Sequence, residues 1–188
     1  DIAQRLYQNG HITYMRTDSV NLSPEALASM SSYIQREFGK DYHHYRTFKT
    51  KSAGAQEAHE AIRPTDPSVE IASTDEYEQK LYNLIRTRTL ASQMASAKLE
   101  RTTAKIAISP QPSALSPQPY FEAKGEVVLF PGFLKVYGAS KKDAVILPSL
   151  SSGDTLTLEQ ATAKQVFSRP PARYSEGSLV KKLEELGI

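Results

Sequence analysis

The chain has 188 residues, 23 Lys plus Arg against 21 Asp plus Glu, and a formal net charge of +2, a balance that neither demands nor excludes a nucleic-acid partner. Cysteine is absent, which removes disulfides, zinc ribbons and thiol catalysis from consideration. No apolar run approaches the roughly 20 residues of a membrane span, and no secretory signal pattern opens the chain, so the expected setting is cytoplasmic.

Asp1 to Gln8 carries Ile2, Leu6 and Tyr7 at helical spacing and meets a stop at Gly10. His11 to Met15 contains Ile12, Thr13 and Tyr14, which favour an extended backbone. Thr17-Asp18-Ser19 reads as a turn. Ser23-Pro24 supplies a cap and a first-turn proline for a helix that presents Leu27, Met30, Ile34 and Phe38 and ends at Gly39. Residues 40 to 56 are polar and loop-like. Glu57 to Ile62 suits a short helical turn, closed by Pro64, which biases Arg63 out of the helical region. A long helix is predicted from about Asp75 to Ala97, with Tyr77, Leu81, Leu84, Ile85 and Arg88 along one stripe.

The texture changes at Lys98. Thr102, Ala104, Ile106 and Ile108 alternate with Arg101, Thr103 and Lys105, the mark of a half-buried strand. A Pro/Ser-rich loop follows, and strand-like segments resume at 120–129, 133–137 and 155–158. The connections are too short for helical crossovers, so this part is predicted to be antiparallel. Arg169-Pro170-Pro171 reads as a linker, and Ser175 caps a last helix with Leu179, Val180, Leu183 and Leu186 on its apolar side. The first residues lie inside a helical pattern and the last follow another helix directly, so the chain reads as a piece of a larger protein. The fold class is α+β.

The chemistry concentrates in Ile12-Thr13-Tyr14-Met15-Arg16-Thr17-Asp18-Ser19. On an extended backbone Tyr14 and Arg16 share a face, roughly 7 Å apart. A phenol can attack phosphorus and form a covalent ester, and an arginine stays charged and grips phosphate oxygens in a forked geometry. Ten tyrosines occur in the chain, and most tyrosines are packing residues, so this spacing alone does not separate a nucleophile from a core ring. No histidine spacing suits a metal: His43 and His44 are adjacent and His11 is isolated.

The pattern Ile-Thr-Tyr-Met-Arg-Thr-Asp-Ser closely resembles the active-site tyrosine segment of type IA DNA topoisomerases. Gln56-Glu57-Ala58-His59-Glu60-Ala61-Ile62-Arg63-Pro64-Thr65 looks like the second hallmark of that family. Arg169-Pro170-Pro171-Ala172-Arg173-Tyr174-Ser175-Glu176 resembles its entry into a later domain. Met15 is similar to the bacterial topoisomerase I branch. The three motifs stand in family order and cover most of the chain.

The resemblance implies that Tyr14 is the nucleophile that becomes joined to a 5′ phosphate, that Arg16 positions the tyrosine and the scissile phosphate, and that His59 contacts phosphate beside the cut. It implies a supporting acid at Asp18 and DNA contacts at Arg63 and Arg173. Lys49 and Lys51 are weaker candidates, better read as solvated loop residues. The implied architecture is a winged-helix-like tyrosine domain over 1–97, a β arch over 98–167, and the start of a further DNA-binding domain over 168–188. Mg²⁺ is implied for the whole enzyme, held by an acidic domain that has no counterpart among these residues.

The implied substrate is a single-stranded stretch of negatively supercoiled DNA on the nucleoid, relaxed without nucleotide hydrolysis, and the isolated piece is expected to be inactive. Two other readings stand beside this one. A DNA-binding or scaffolding arm would need no chemistry. A tyrosine recombinase or type IB-like transferase would place its tyrosine late in the chain.

Overall fold

A computed structural model of the chain describes residues 1–48, 59–108, 120–138 and 145–188, which fall into two units, Asp1–Leu150 and Ser151–Ile188. Among the described residues the elements are α1 (Ile2–Gln8), α2 (Pro24–Phe38), α3 (Glu76–Ser92), β1 (Lys98–Ala107), β2 (Tyr120–Phe130) and α4 (Glu176–Leu186), with short 3₁₀ turns at Lys40–Tyr42 and Gly132–Lys135. The mixture of helices with one antiparallel pair agrees with the α+β expectation. No helix among the described residues is long and apolar enough to cross a membrane.

Local signals explain the helix ends. The Ser23 hydroxyl accepts from the Ala26 N–H, and Pro24 opens α2 where its missing donor costs nothing. Asp75 accepts from the N–H groups of Tyr77 and Glu78 and so caps α3. Helix α1 closes with the Gly10 N–H on the Tyr7 carbonyl and the His11 N–H on the Leu6 carbonyl, the paired closure that requires a left-handed residue. Gly10 provides it at φ +75°.

Two apolar clusters hold the first unit. Leu6, Ile12 and Tyr82 bury together, with Ala3, Met15, Leu81 and Ile85 around them. Tyr33, Ile34, Leu90 and Met94 form the other, flanked by Phe38, Tyr42, Phe133 and Val136. The second cluster is where the base of the β ribbon is fixed. Phe130 packs on Tyr42 at 4.7 Å between ring centroids, and the Phe133 N–H donates to the Ala95 carbonyl. Gly132 makes that approach possible, because a Cβ there would lie 2.4 Å from the Ala95 oxygen.

Several expectations need correction. Helix α3 ends at Ser92 rather than near Ala97. Buried Gln93 turns out of the helix to pair with the backbone of Arg46 in both directions, and the Ala95 N–H goes to the Tyr42 carbonyl. The buried stripe of α3 is also rotated from the predicted one. Glu78, Tyr82 and Thr89 are buried while Tyr77 and Leu84 are exposed. Burial of Glu78 follows from its ion pair with Arg5 of α1 and its acceptance of the Ser73 hydroxyl, partners that helical periodicity does not reveal.

Residues 133–137 are not a strand, because Pro131 and Gly132 wind them into the 3₁₀ turn. Residues 155–158 are irregular. The described part of the predicted 57–62 turn, from His59 onward, is irregular too, since its backbone pairs with residues 11–13 and 21 instead of with itself.

The ribbon forms where the alternation placed it, although Thr102 and Ile108, expected on its covered face, are exposed. Its register runs from Leu99 opposite Val128 to Ala107 opposite Tyr120, with an irregularity between Lys98 and Leu99. Ala104 and Ile106 are half-buried and their neighbours exposed, as the alternation requires.

Candidate active site around Tyr14

The segment that carries Tyr14 is not part of a regular sheet. It is held by a short antiparallel bridge between Ile12 and Pro64, with the Thr13 N–H donating to the Arg63 carbonyl at 2.9 Å and the Thr65 N–H to the His11 carbonyl at 3.0 Å. Thr13 tightens this lacing. Its hydroxyl donates to the Ala61 carbonyl at 2.7 Å and accepts from the Arg63 N–H at 2.9 Å. Two motifs about 50 residues apart in sequence therefore share one backbone frame. Ile12 is buried beneath it and fixes its depth.

Glu60 ties the frame to α2. Its carboxylate accepts from the Ser23 N–H at 2.7 Å and from Arg63 Nη2 at 2.7 Å. Burial works to raise its pKa, but the donors from Ser23 and Arg63 outweigh it and hold Glu60 below the ordinary carboxylate value.

On this frame the Tyr14 and His59 rings meet edge to face, with centroids 5.8 Å apart and planes at 78°. Tyr7 of α1 also meets the Tyr14 ring, at 5.4 Å and 70°. All three side chains are open to solvent, so the phenol is accessible. Arg16 is exposed and has no side-chain partner among the described residues, leaving its guanidinium available to an incoming anion. Asp18 is exposed two residues further along.

Arg63 is directed differently. Its side chain is 15% exposed and donates to Glu60 and to the Pro64 carbonyl, so most of its fork faces inward. Arg173 lies in the second unit and is exposed. Lys49 and Lys51 fall outside the described residues. The structure thus gathers Tyr14 and His59, keeps Arg16 and Asp18 on the same segment, and uses Arg63 as a brace.

Beside the tyrosine segment lies an open groove of about 590 Å³, lined by Met15, Val20, Phe48, Ile62, Leu81 and Leu84, with Arg88 at its wall. Leu81, Leu84, Ile85 and Arg88 of the predicted α3 stripe line this groove, and Leu81 and Ile85 also pack against the Leu6, Ile12 and Tyr82 cluster. Among the described residues no three His, Asp or Glu side chains gather as a metal site.

Sequence reasoning passed over Thr13, Glu60 and Tyr7. Thr13 and Glu60 lie inside the two motifs, so their position was the available signal. Tyr7 offered only its place near the end of α1.

The family model described as DNA topoisomerase matches residues 1–188. The chain is 46% identical over 199 aligned positions to the "DNA topoisomerase 1 type prokaryotic" of Acanthamoeba polyphaga mimivirus, covering 99% of this chain and 23% of that protein. It is 44% identical to DNA topoisomerase 1 of Zymomonas mobilis, covering 100% of this chain and 16% of the relative. Among solved structures, full-length topoisomerase I from Thermotoga maritima aligns with a TM-score of 0.65 at 30% identity, over 100% of this chain and 31% of that one. The chain thus spans less than a third of each of these relatives.

Proposed function

The chain belongs to the type IA DNA topoisomerase family, and we propose that it carries the nucleophile side of that family's strand-cleaving site, centred on Tyr14. The observation that carries this reading is the meeting of Tyr14 and His59 on one laced frame, with Arg16 exposed two residues away.

In the proposed reaction the Tyr14 oxygen attacks a backbone phosphorus of one DNA strand. A bond forms between phosphorus and the phenolic oxygen, and the bond from phosphorus to the 3′ oxygen breaks. The phenol gives up its proton, and the departing 3′ oxygen gains one and leaves as a hydroxyl. The 5′ phosphate stays on the protein as a phosphotyrosine ester. Its bond energy is close to that of the bond broken, so the reverse attack reseals the strand without nucleotide hydrolysis. Arg16 stabilises the charge that crowds onto the phosphate oxygens, and His59 donates to the same phosphate. Asp18 orients its neighbours. Strand passage through the break would relax negative supercoils.

The substrate in this reading is a single-stranded stretch of supercoiled DNA. The activity belongs to the whole protein, with Mg²⁺ bound by a domain outside these residues. Residues 1–97 are assigned to a winged-helix-like tyrosine domain, 98–167 to the arch and 168–188 to the start of a further DNA-binding domain, where Arg173 contacts the strand. Arg63 serves the site through Glu60 and the shared frame.

In the full-length parent, Tyr14→Phe should abolish the covalent adduct with a single-stranded oligonucleotide, and an adduct that persists would falsify the assignment. Residues 1–188 alone should not relax a supercoiled plasmid in the presence of Mg²⁺. Robust relaxation by that piece would place a complete site within it.

A further inference from the structure

We propose that Tyr7 is a positioning residue for the nucleophile, one jaw of an aromatic clamp whose other jaw is His59. This rests on the reading of Tyr14 given above. A half-exposed tyrosine normally samples several staggered rotamers. Here the Tyr14 ring has two aromatic neighbours at once, Tyr7 at 5.4 Å and 70° and His59 at 5.8 Å and 78°. Both are edge-to-face arrangements, in which the positive edge of one ring meets the negative face of the other. Two such neighbours limit the directions in which the phenol can point while leaving the ring 40% exposed for a strand to reach.

The clamp works only if its jaws do not move, and α1 supplies a fixed mounting. Leu6, adjacent to Tyr7, is fully buried in the cluster with Ile12 and Tyr82. Arg5 pairs with buried Glu78 of α3. The Tyr7 carbonyl itself accepts the Gly10 N–H in the turn that sends the chain back toward Tyr14. Tyr7 is therefore tied through its own carbonyl and through the two residues before it, yet it is 41% exposed and fills no core. Of the residues beside Tyr14, His59 and Arg16 have phosphate chemistry to offer. In this proposal Tyr7 acts on the reaction through the Tyr14 ring, and misplacing an attacking group by about 1 Å costs on the order of 100-fold in rate.

Two variants and two readouts test this. Tyr7→Leu removes the ring and keeps apolar bulk, while Tyr7→Phe keeps the ring and removes the hydroxyl. In the 188-residue chain with ¹³C-labelled tyrosine rings, nuclear relaxation of Tyr14 should report a looser ring in Tyr7→Leu and an unchanged one in Tyr7→Phe. In the full-length parent, single-turnover cleavage of a 3′-labelled single-stranded oligonucleotide should slow by about 2- to 12-fold in Tyr7→Leu, the factor an aromatic pair supplies. The dissociation constant for the same oligonucleotide should not change, and Tyr7→Phe should restore the rate.

A Tyr14 ring that stays ordered without the Tyr7 ring overturns the clamp. So does a looser ring that cleaves at the original rate, or a loss confined to DNA binding. An adduct that survives Tyr14→Phe overturns the nucleophile reading instead, and leaves the relaxation result to speak for the contact alone.

Discussion

The region around Tyr14 and the helix α4 are ordered by opposite means. Residues 11–19 and 59–65 have almost no regular secondary structure, yet backbone bonds to partners about 50 residues away fix them in place. Helix α4 is regular from Glu176 to Leu186, with a reciprocal Ser175/Ser178 capping box and a left-handed Gly187 closing it. None of its residues is buried. One region has tertiary order without local regularity, and the other has local regularity without a packed face of its own. The contrast bears on the proposed site: its exposed side chains stand on an irregular segment whose position is set from a distance, so their spacing does not depend on strand or helix repeats.

The strongest test of this difference deletes equivalent apolar groups in both regions. Leu6→Ala, at a fully buried position, should lower the stability of the first unit by about 2–5 kcal/mol in urea unfolding. Leu183→Ala, 36% exposed on α4, should move the same transition by less than about 0.5 kcal/mol. Similar losses for the two would mean that α4 is as deeply involved in tertiary packing as α1, and the distinction would fall.

Next in size is Thr13→Val, which keeps the shape and removes the hydroxyl. The Arg63 N–H and the Ala61 carbonyl lose a partner in a partly buried place, and the expected cost is about 1–3 kcal/mol. Ring-to-ring nuclear Overhauser contacts between Tyr14 and His59 should weaken with it. If stability drops but those contacts persist, the frame has other supports than the Thr13 lacing.

Ser175→Ala removes the cap of α4, where local terms have to supply the order. A cap of this kind contributes about 1 kcal/mol, and an isolated helix this short is marginal in water. Far-ultraviolet circular dichroism of residues 151–188 should lose helix signal, while the urea transition of residues 1–150 stays where it was. An unchanged spectrum would show that the cap is dispensable and that α4 draws its order from elsewhere.

The same contrast explains what could be read from the sequence. Helix α2 was legible at both ends and α4 at its start, because Ser23-Pro24, Gly39 and Ser175 act on their immediate neighbours. The ribbon was legible because alternation is a property of a single strand. The end of α3 was not, since Gln93 leaves the helix for Arg46, a partner 47 residues away. Nor was its buried face, because Glu78 is drawn inward by Arg5, 73 residues earlier. The site divides in the same way. Motif resemblance pointed to Tyr14, Arg16 and His59, and the structure brings the first and last together. The inward turn of Arg63 and the approach of Tyr7 depend on how α1 and the second motif fold back, which no local pattern records.

The smallest expected effect lies in the dependence of stability on acid, and it bears on the brace that joins the frame to α2. Glu60 titrates below the ordinary carboxylate value in the folded chain because Ser23 and Arg63 donate to its charged form. A group with a depressed folded pKa contributes stability that is fully present above its unfolded value, near 4.3 for a glutamate, and is lost as pH falls through the lower folded value. Thermal midpoints should therefore fall between about pH 5 and pH 3, partly on account of this residue. Glu60→Gln retains an acceptor for the Ser23 N–H but has no charge to lose, so its midpoint should start lower at pH 7 and decline less steeply with acid. Glu78, also held low by Arg5 and Ser73, remains in the variant and supplies a residual slope. Parallel curves for the two proteins would mean that Glu60 titrates alike in the folded and unfolded chain, and that the tie from the second motif to α2 depends on shape rather than on charge.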